Sequence, residues 1–465
     1  MSATQSRPVP SRPGRPSTRL SPDSTGAGGP LRRRWEALSR RFDENPRTYR
    51  RLAAVLVALM IAFSVAPAAN NLLGRLNKDY DLWYLTGRTF LRGGDIYPTD
   101  NRPFPFMYPP AAAALMAVAS VLGRTGFVLV LLALNSAAWV GSILLSVRLA
   151  TGAALRQRPL LYALPTLWVL PFVHDMYLLG QPNLLLLFLM LGAFAALRSR
   201  HGWAAGALVG LAAAIKAFPV LALGYLVYRR HWKAVGATVV TLVLLLLVLP
   251  IPFRGASGSW SDMVIWTKGM VLKYDEGQIA QRPERCYSFK NQSLVAVTNR
   301  LLRTVEANGE ADDGWYVNVA DLSFKTVNKI AAGVGLGLCL FYLASMPLGR
   351  PPDGRTQAAE TAMLLLLILV FSPFAFNYFY VWLIYPLTVL LSRLDDAPEG
   401  SRERHTLLVG LLAALELYAW SALSLMGAQG YGNLLAVNLV LLGLLGWSLR
   451  HDRAVSAGAG QPRGA

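Results

Sequence analysis

Apolar residues in this chain come in long, nearly uncharged runs of 18 to 23 residues, neither alternating nor confined to one helical stripe. A helix that is apolar all round for that length is a membrane span, because hydrocarbon leaves no other way to satisfy the backbone of an open chain. Leu/Ala/Val runs without alternation exclude a transmembrane barrel. The pattern predicts an all-α, polytopic integral membrane protein with about ten full spans. They fall near 52–72, 126–148, 159–178, 183–197, 234–252, 328–346, 360–373, 377–394, 405–425 and 432–449.

Two runs break the pattern. Residues 110–122 are apolar but too short to cross, and read as an interfacial or re-entrant helix. Residues 203–228 lie between basic clusters and read as two half-helices broken at Lys216-Ala217-Phe218-Pro219, since proline removes a donor and restricts the residue before it. Residues 1–51, with twelve Arg, no Lys and many Pro and Ser, are expected to be a disordered cytoplasmic tail. A transmembrane catalytic domain is expected over 52–450. It includes a first outer loop at 74–125 and a large outer loop at 254–327, and a second cytoplasmic tail follows at 451–465. The net charge of +19 belongs to this topology rather than to a nucleic-acid surface: Lys and Arg cluster in the short loops, which the positive-inside rule puts in the cytosol with both termini. The 254–327 loop balances nine Lys/Arg with nine Asp/Glu, as suits the opposite side. Two cysteines, Cys286 and Cys339, imply no disulfide framework.

On that path the outer face collects the unusual polar residues. Asp79 and Asp81 precede Gly93-Gly94-Asp95-Ile96-Tyr97 and Phe106-Met107-Tyr108-Pro109-Pro110. They read as a catalytic pair or as solvated loop residues. Gly180-Gln181-Pro182-Asn183 reads as a binding motif or a helix-connecting turn. His174-Asp175 reads as a site pair or an interfacial helix end, and Asn291-Gln292-Ser293, a glycosylation sequon, is too common a pattern to carry weight. Lys216 and Glu416 are charges inside apolar runs. An intramembrane cation is a functional candidate by default, snorkelling being the alternative, and Glu416 is expected to partner polar groups inside the bundle.

Outer carboxylates, an intramembrane cation and a membrane setting suit glycosyl transfer from a polyprenyl phosphate. A carboxylate takes the proton of the attacking hydroxyl, and a cation stabilises the leaving phosphate. The chain resembles glycosyltransferase family 87, the DUF2029 group of polyprenol-phosphate-sugar-dependent enzymes with the GT-C architecture, over roughly residues 52–450. The resemblance is carried by Asp79 to Gly93, Asp95-Ile96-Tyr97, Tyr108-Pro109-Pro110, Gly180 to Asn183, Ala205-Gly206 with Lys216 and Pro219, Arg229-Arg230-His231-Trp232, Asn291 to Leu294 with Arg300, and Ser372-Pro373. It implies Asp79 as general base, with Asp81 as fallback, and Lys216 on the donor phosphate. Arg300, Tyr108, Gln181, Asn183, Asn291, Gln292 and His174 are the further candidates for phosphate or substrate. It also implies inversion to an α-glycoside, most simply of mannose, away from the cytosol. The chain departs from the family in Phe374-Ala375-Phe376-Asn377-Tyr378, where many members have a Trp and a His after the Ser-Pro. The expected partners are a polyprenyl-phosphate-linked sugar donor, a glycolipid or glycan acceptor and membrane lipid, with no nucleic acid. No cofactor is called for, no metal motif is visible among the scattered histidines, and a divalent metal is left open. A flippase for lipid-linked sugars is the rival reading, and a non-catalytic scaffold is a third.

Overall fold

The computed structural model describes residues 45–97, 106–152, 158–280, 286–308, 314–348 and 353–459. Of the expected tails, residues 1–44 and 460–465 lie outside them. Among the described residues the chain is helical, with a single isolated bridge between Tyr274 and Ile279. Helix α1 (Pro46–Leu72) starts before the expected Leu52, because Asn45 accepts the Arg47 N–H and Pro46 presets the first turn. There follow α2 (Lys78–Leu91), α3 (Pro110–Ser120), α4 (Gly123–Thr151), α5 (Pro159–Leu179), α6 (Asn183–Arg198), α7 (Gly202–Ile215), α8 (Ala222–Tyr228) and α9 (Trp232–Val243). The chain continues through α10 (Ile251–Trp266), α11 (Leu294–Leu302), α12 (Phe324–Ser345), α13 (Gly354–Phe371), α14 (Ile384–Asp396), α15 (Arg402–Leu423), α16 (Leu425–Gly430) and α17 (Asn433–Ala459).

Among the described residues, six helices are long and apolar enough to cross a bilayer: α1, α4, α12, α13, α15 and α17. Two bent pairs raise the number to eight if each is one span: α5 with α6, bent by 119°, and Trp232–Val248 with Ile251–Val271, bent by 100°. Among the described residues the expected count of about ten is therefore not confirmed. Two of the expected spans are the arms of the α5–α6 bend. A third, 377–394, is a 3-10 turn (Asn377–Leu383) leading into the short α14. The break at Lys216 lies where proline predicts it: α7 ends at Ile215, Lys216 is extended (φ −139°, ψ 131°), and a 3-10 turn leads into α8.

Helices α13 and α17 are mostly buried, whereas α1 and α15 are barely covered and carry exposed Val55, Ile61, Leu412 and Leu415. Apolar surface of that extent is what a lipid-facing helix presents. Glu416 is on this uncovered side of α15, not inside the bundle as expected. An acid that is buried in the bundle is Glu360 of α13, which pairs with Arg229 and accepts at 3.4 Å from Tyr225 Oη. Arg158 bridges Asp396 at 2.8 Å, Arg393 bridges Asp452 at 2.8 Å, and Arg198 donates to the Leu149 carbonyl at 2.9 Å. These contacts tie several of the basic clusters together at one end of the bundle.

Candidate active site

The site begins with α2, a helix where the sequence predicts part of the first outer loop. Tyr80, Trp83, Gly87 and Phe90 recur at helical spacing and are buried. Gly87 is where α3 crosses, since a Cβ there would stand 3.0 Å from the Ala117 nitrogen. Tyr80 donates to the Tyr177 carbonyl at 2.8 Å, and its ring fills the space that a side chain at Gly180 would need. Gly180 also takes φ +80°, so glycine both ends α5 and admits the ring. This packing brings the first turn of α2 against the bend between α5 and α6, and Asp79 against Gln181.

Asp79 and Gln181 line a cavity of ≈ 500 Å³. Its apolar walls include Leu82, Met107, Leu178, Leu179, Phe376 and Leu425, and its polar lining includes Lys78, Asp175, Lys290, Asn377 and Gln429. Behind Asp79 runs a chain of hydrogen bonds. Gln181 Nε2 donates to Asp79 Oδ2 and, at 3.0 Å, to Tyr108 Oη; Gln181 Oε1 accepts from Lys216 Nζ. Lys216 Nζ donates also to Asn183 Oδ1 at 2.8 Å, and Asn183 Nδ2 to the Tyr378 carbonyl at 3.0 Å. The rings of Tyr108, Tyr378 and Phe379 surround the ammonium, with centroids 5.2, 5.2 and 4.9 Å away. A cation inside a ring of π-faces and amide oxygens is paired without a carboxylate in direct contact. Tyr108 is itself held by stacking on Trp83 at 4.1 Å.

Residues 106–373, more than half of the chain, match the family model for glycosyltransferase family 87. The chain belongs to glycosyltransferase family 87. It is similar to two proteins of Mycolicibacterium smegmatis. One is a polyprenol-phosphate-mannose-dependent alpha-(1-2)-phosphatidylinositol pentamannoside mannosyltransferase, 26% identical over 337 residues, covering 71% of this chain and 68% of the relative. The other is a polyprenol-phosphate-mannose-dependent alpha-(1-2)-phosphatidylinositol mannoside mannosyltransferase, 25% identical over 380 residues, covering 76% and 78%. A Mycobacterium tuberculosis protein bearing the first of these descriptions is 27% identical over 215 residues, 44% of this chain and 49% of its own. Tyr108, Gln181, Asn183, Lys216 and Lys290 of this family 87 chain fall within the matched range; Asp79 lies outside it and joins it through Gln181.

Several expected site residues are elsewhere. Asp81 points away from the cavity, because two positions on a helix are about 200° apart. It takes both Nε and Nη2 of Arg124, at 2.7 and 2.8 Å, and the Asn77 N–H at 2.7 Å. His174 is half exposed and packs its ring on Phe63, outside the cavity that its neighbour Asp175 lines. Lys216 is only 4% exposed and stands behind Gln181 rather than on the cavity wall. Arg300 is fully buried, is not part of the cavity lining, and donates through all three nitrogens to the carbonyls of Tyr287, Ser288, Asn291, Gln429 and Gly430. Asn291 is equally committed, donating to the Cys286 and Pro373 carbonyls and accepting from the Ala375 and Ser293 amides. That leaves the sequon no exposed nitrogen. Gln292 donates to the Phe289 and Gln429 carbonyls, both at 2.6 Å. Together these three fix the loop that carries Lys290. The sequence reading missed Lys78, Lys290 and Gln429, which are ordinary polar residues in polar segments. It takes Asn377 as part of the Ser372 to Tyr378 stretch on the outer face and of the departure from the family, and assigns it no role.

Proposed function

We propose that this chain transfers mannose from a polyprenyl-phosphate donor to a hydroxyl of a glycolipid or glycan, on the extracytoplasmic face, with inversion. The observation that carries the reading is the position of Asp79: a carboxylate on the wall of a cavity large enough for a ligand, tied through Gln181 to a buried cation. The activities of the two Mycolicibacterium smegmatis relatives point to the donor and acceptor classes. Asp79 is the general base. The acceptor hydroxyl oxygen attacks the anomeric carbon, its proton passes to Asp79, and the bond from that carbon to the phosphate oxygen breaks, releasing polyprenyl phosphate. One displacement turns a β-linked donor into an α-product. Lys78 and Lys290, which line the same cavity, take the negative charge of the leaving phosphate. Lys216 serves indirectly: its charge and its hydrogen bond hold Gln181 oriented toward Asp79. Gln181, Asn183 and Tyr108 complete that support, and Asp81, Arg300, Asn291 and Gln292 hold the walls.

The distribution of charge supports the extracytoplasmic placement. The basic clusters gathered at the Arg158–Arg393 end belong in the cytosol by the positive-inside rule, and the cavity is lined by the opposite end of α5, by Gln181 in the turn before α6 and by Phe376 to Tyr378 in the segment after α13. The test is transfer of label from polyprenyl-phosphate mannose to a phosphatidylinositol mannoside in membranes containing wild type or Asp79→Asn. Transfer by wild type alone is expected. Undiminished transfer by Asp79→Asn removes the base, and movement of the lipid donor between leaflets without transfer favours a flippase.

A further inference from the structure

The polar lining of the cavity divides into two sets. Lys78 and Lys290 suit an anion, but Asp175 of α5, Asn377 and Gln429 of α16 have a different chemistry. Asn377 joins the other two, donating through Nδ2 to Asp175 Oδ2 at 3.2 Å and accepting at Oδ1 from Gln429 Nε2 at 2.8 Å. Three separate segments are thus linked side chain to side chain on one wall. Gln429 is 2% exposed, and its Oε1 meets no donor among the described residues. A buried acceptor left open costs free energy that a ligand hydrogen recovers. The backbone of Gln429 is not free to adjust, since its carbonyl accepts from Gln292 Nε2 at 2.6 Å and Arg300 Nη2 at 2.9 Å. Phe376 and Tyr378 flank Asn377 on the same cavity.

We propose that Asp175, Asn377 and Gln429 form a subsite that binds the hydroxyls of the acceptor's sugar or cyclitol head. A carboxylate and an open amide oxygen call for hydrogen-bond donors and repel phosphate, which excludes the donor's leaving group from this wall. Amide N–H groups beside them supply what a hydroxyl oxygen accepts. Alternation of donor and acceptor is the pattern of a polyol, and the aromatic side chains give its C–H faces an apolar surface. The subsite rests on the transferase reading and adds to it where the acceptor lies.

The test uses the full chain in lipid nanodiscs with polyprenyl-phosphate mannose as donor and a phosphatidylinositol mannoside as acceptor. Asp175→Asn, nearly isosteric and partly exposed, is the primary variant, and Asn377→Ala the second. Each is expected to raise the acceptor KM about tenfold, the loss of one good hydrogen bond, with the donor KM and kcat within about twofold of wild type. Unchanged acceptor KM in both variants overturns the subsite, as does an equal rise in donor KM. Should wild type transfer nothing, the activity reading fails by itself, and binding decides the subsite. Octyl α-mannoside, a mannoside without phosphate, is expected to raise the melting temperature of wild type but not of Asp175→Asn. Equal shifts in the two proteins, or none in either, would sink the proposal.

Discussion

Asp79 and Asp81 are both in the first turn of α2, where a helix N-terminus favours negative charge, yet one faces the cavity and the other an arginine. Their substitutions should therefore fail differently. Asp79→Asn keeps the helix and removes the proposed proton acceptor, so kcat for transfer is expected to fall by about 10²–10⁴, the usual worth of general base catalysis. Asp81→Asn leaves that acceptor in place and loses the paired Arg124, so it is expected to cost about 1–3 kcal/mol of stability with kcat largely retained. Thermal unfolding and initial rates on the same preparations separate the two; a catalytic loss in Asp81→Asn as large as in Asp79→Asn would contradict the assignment. Lys216 was legible from sequence as an unusual charge in an apolar run. Its partner was not, because Gln181 is 35 residues away and only the fold joins them. Lys216→Met and Gln181→Leu should each lower kcat, and the double variant should be no worse than the more severe single, as for residues that act as one unit. Additive losses would mean that the two serve separately.

Proline made one broken element readable, since Pro219 marks the break after α7; Gly180 with Pro182 marks a turn, but the runs it joins read as two full spans rather than as the arms of one bend. The helix α2 was equally present in the spacing of Tyr80, Trp83, Gly87 and Phe90, but its charged first turn and the flanking glycines disguise it as a loop. The large outer segment was unreadable, because its order comes from one buried arginine in α11 that binds carbonyls from two distant segments. Removing a charged partner from a buried network costs about 3–5 kcal/mol, so Arg300→Ala should release the 286–293 loop. Cys286 reports that event. Burial pushes its thiol above the ordinary value, and it donates to the Gly277 carbonyl at 3.6 Å, so in the folded protein it should resist maleimide. In a Cys339→Ser background, Arg300→Ala is expected to speed labelling of Cys286 at least about tenfold, the factor set by about 1.4 kcal/mol of local destabilisation. An unchanged rate would show that Asn291 and Gln292 suffice to hold the loop.

At the scale of the whole molecule, the fold separates two chemistries along the bundle. Arg158, Arg355 and Arg393 meet Asp396, Glu403 and Asp452 at one end, while the carboxylate of Asp79 and the Asp175–Asn377–Gln429 wall lie among the opposite helix ends. A donor whose isoprenoid tail must remain in lipid can reach such a cavity only from the leaflet that the cavity adjoins, so orientation decides which pool of donor is used. The positive-inside rule predicts the answer, and single cysteines read it. Lys273 is exposed in the large outer segment, and Arg230 is exposed between α8 and α9. In intact cells carrying Cys339→Ser, a membrane-impermeant maleimide should label Lys273→Cys and spare Arg230→Cys until the cells are opened. The reverse pattern would put the cavity in the cytosol, where Asp79 could still act as a base but only on donor and acceptor presented at the inner leaflet. Labelling of both from outside would mean that the chain between them crosses an even number of times. The 100° bend at Leu249-Pro250 would then mark a re-entrant pair rather than a span.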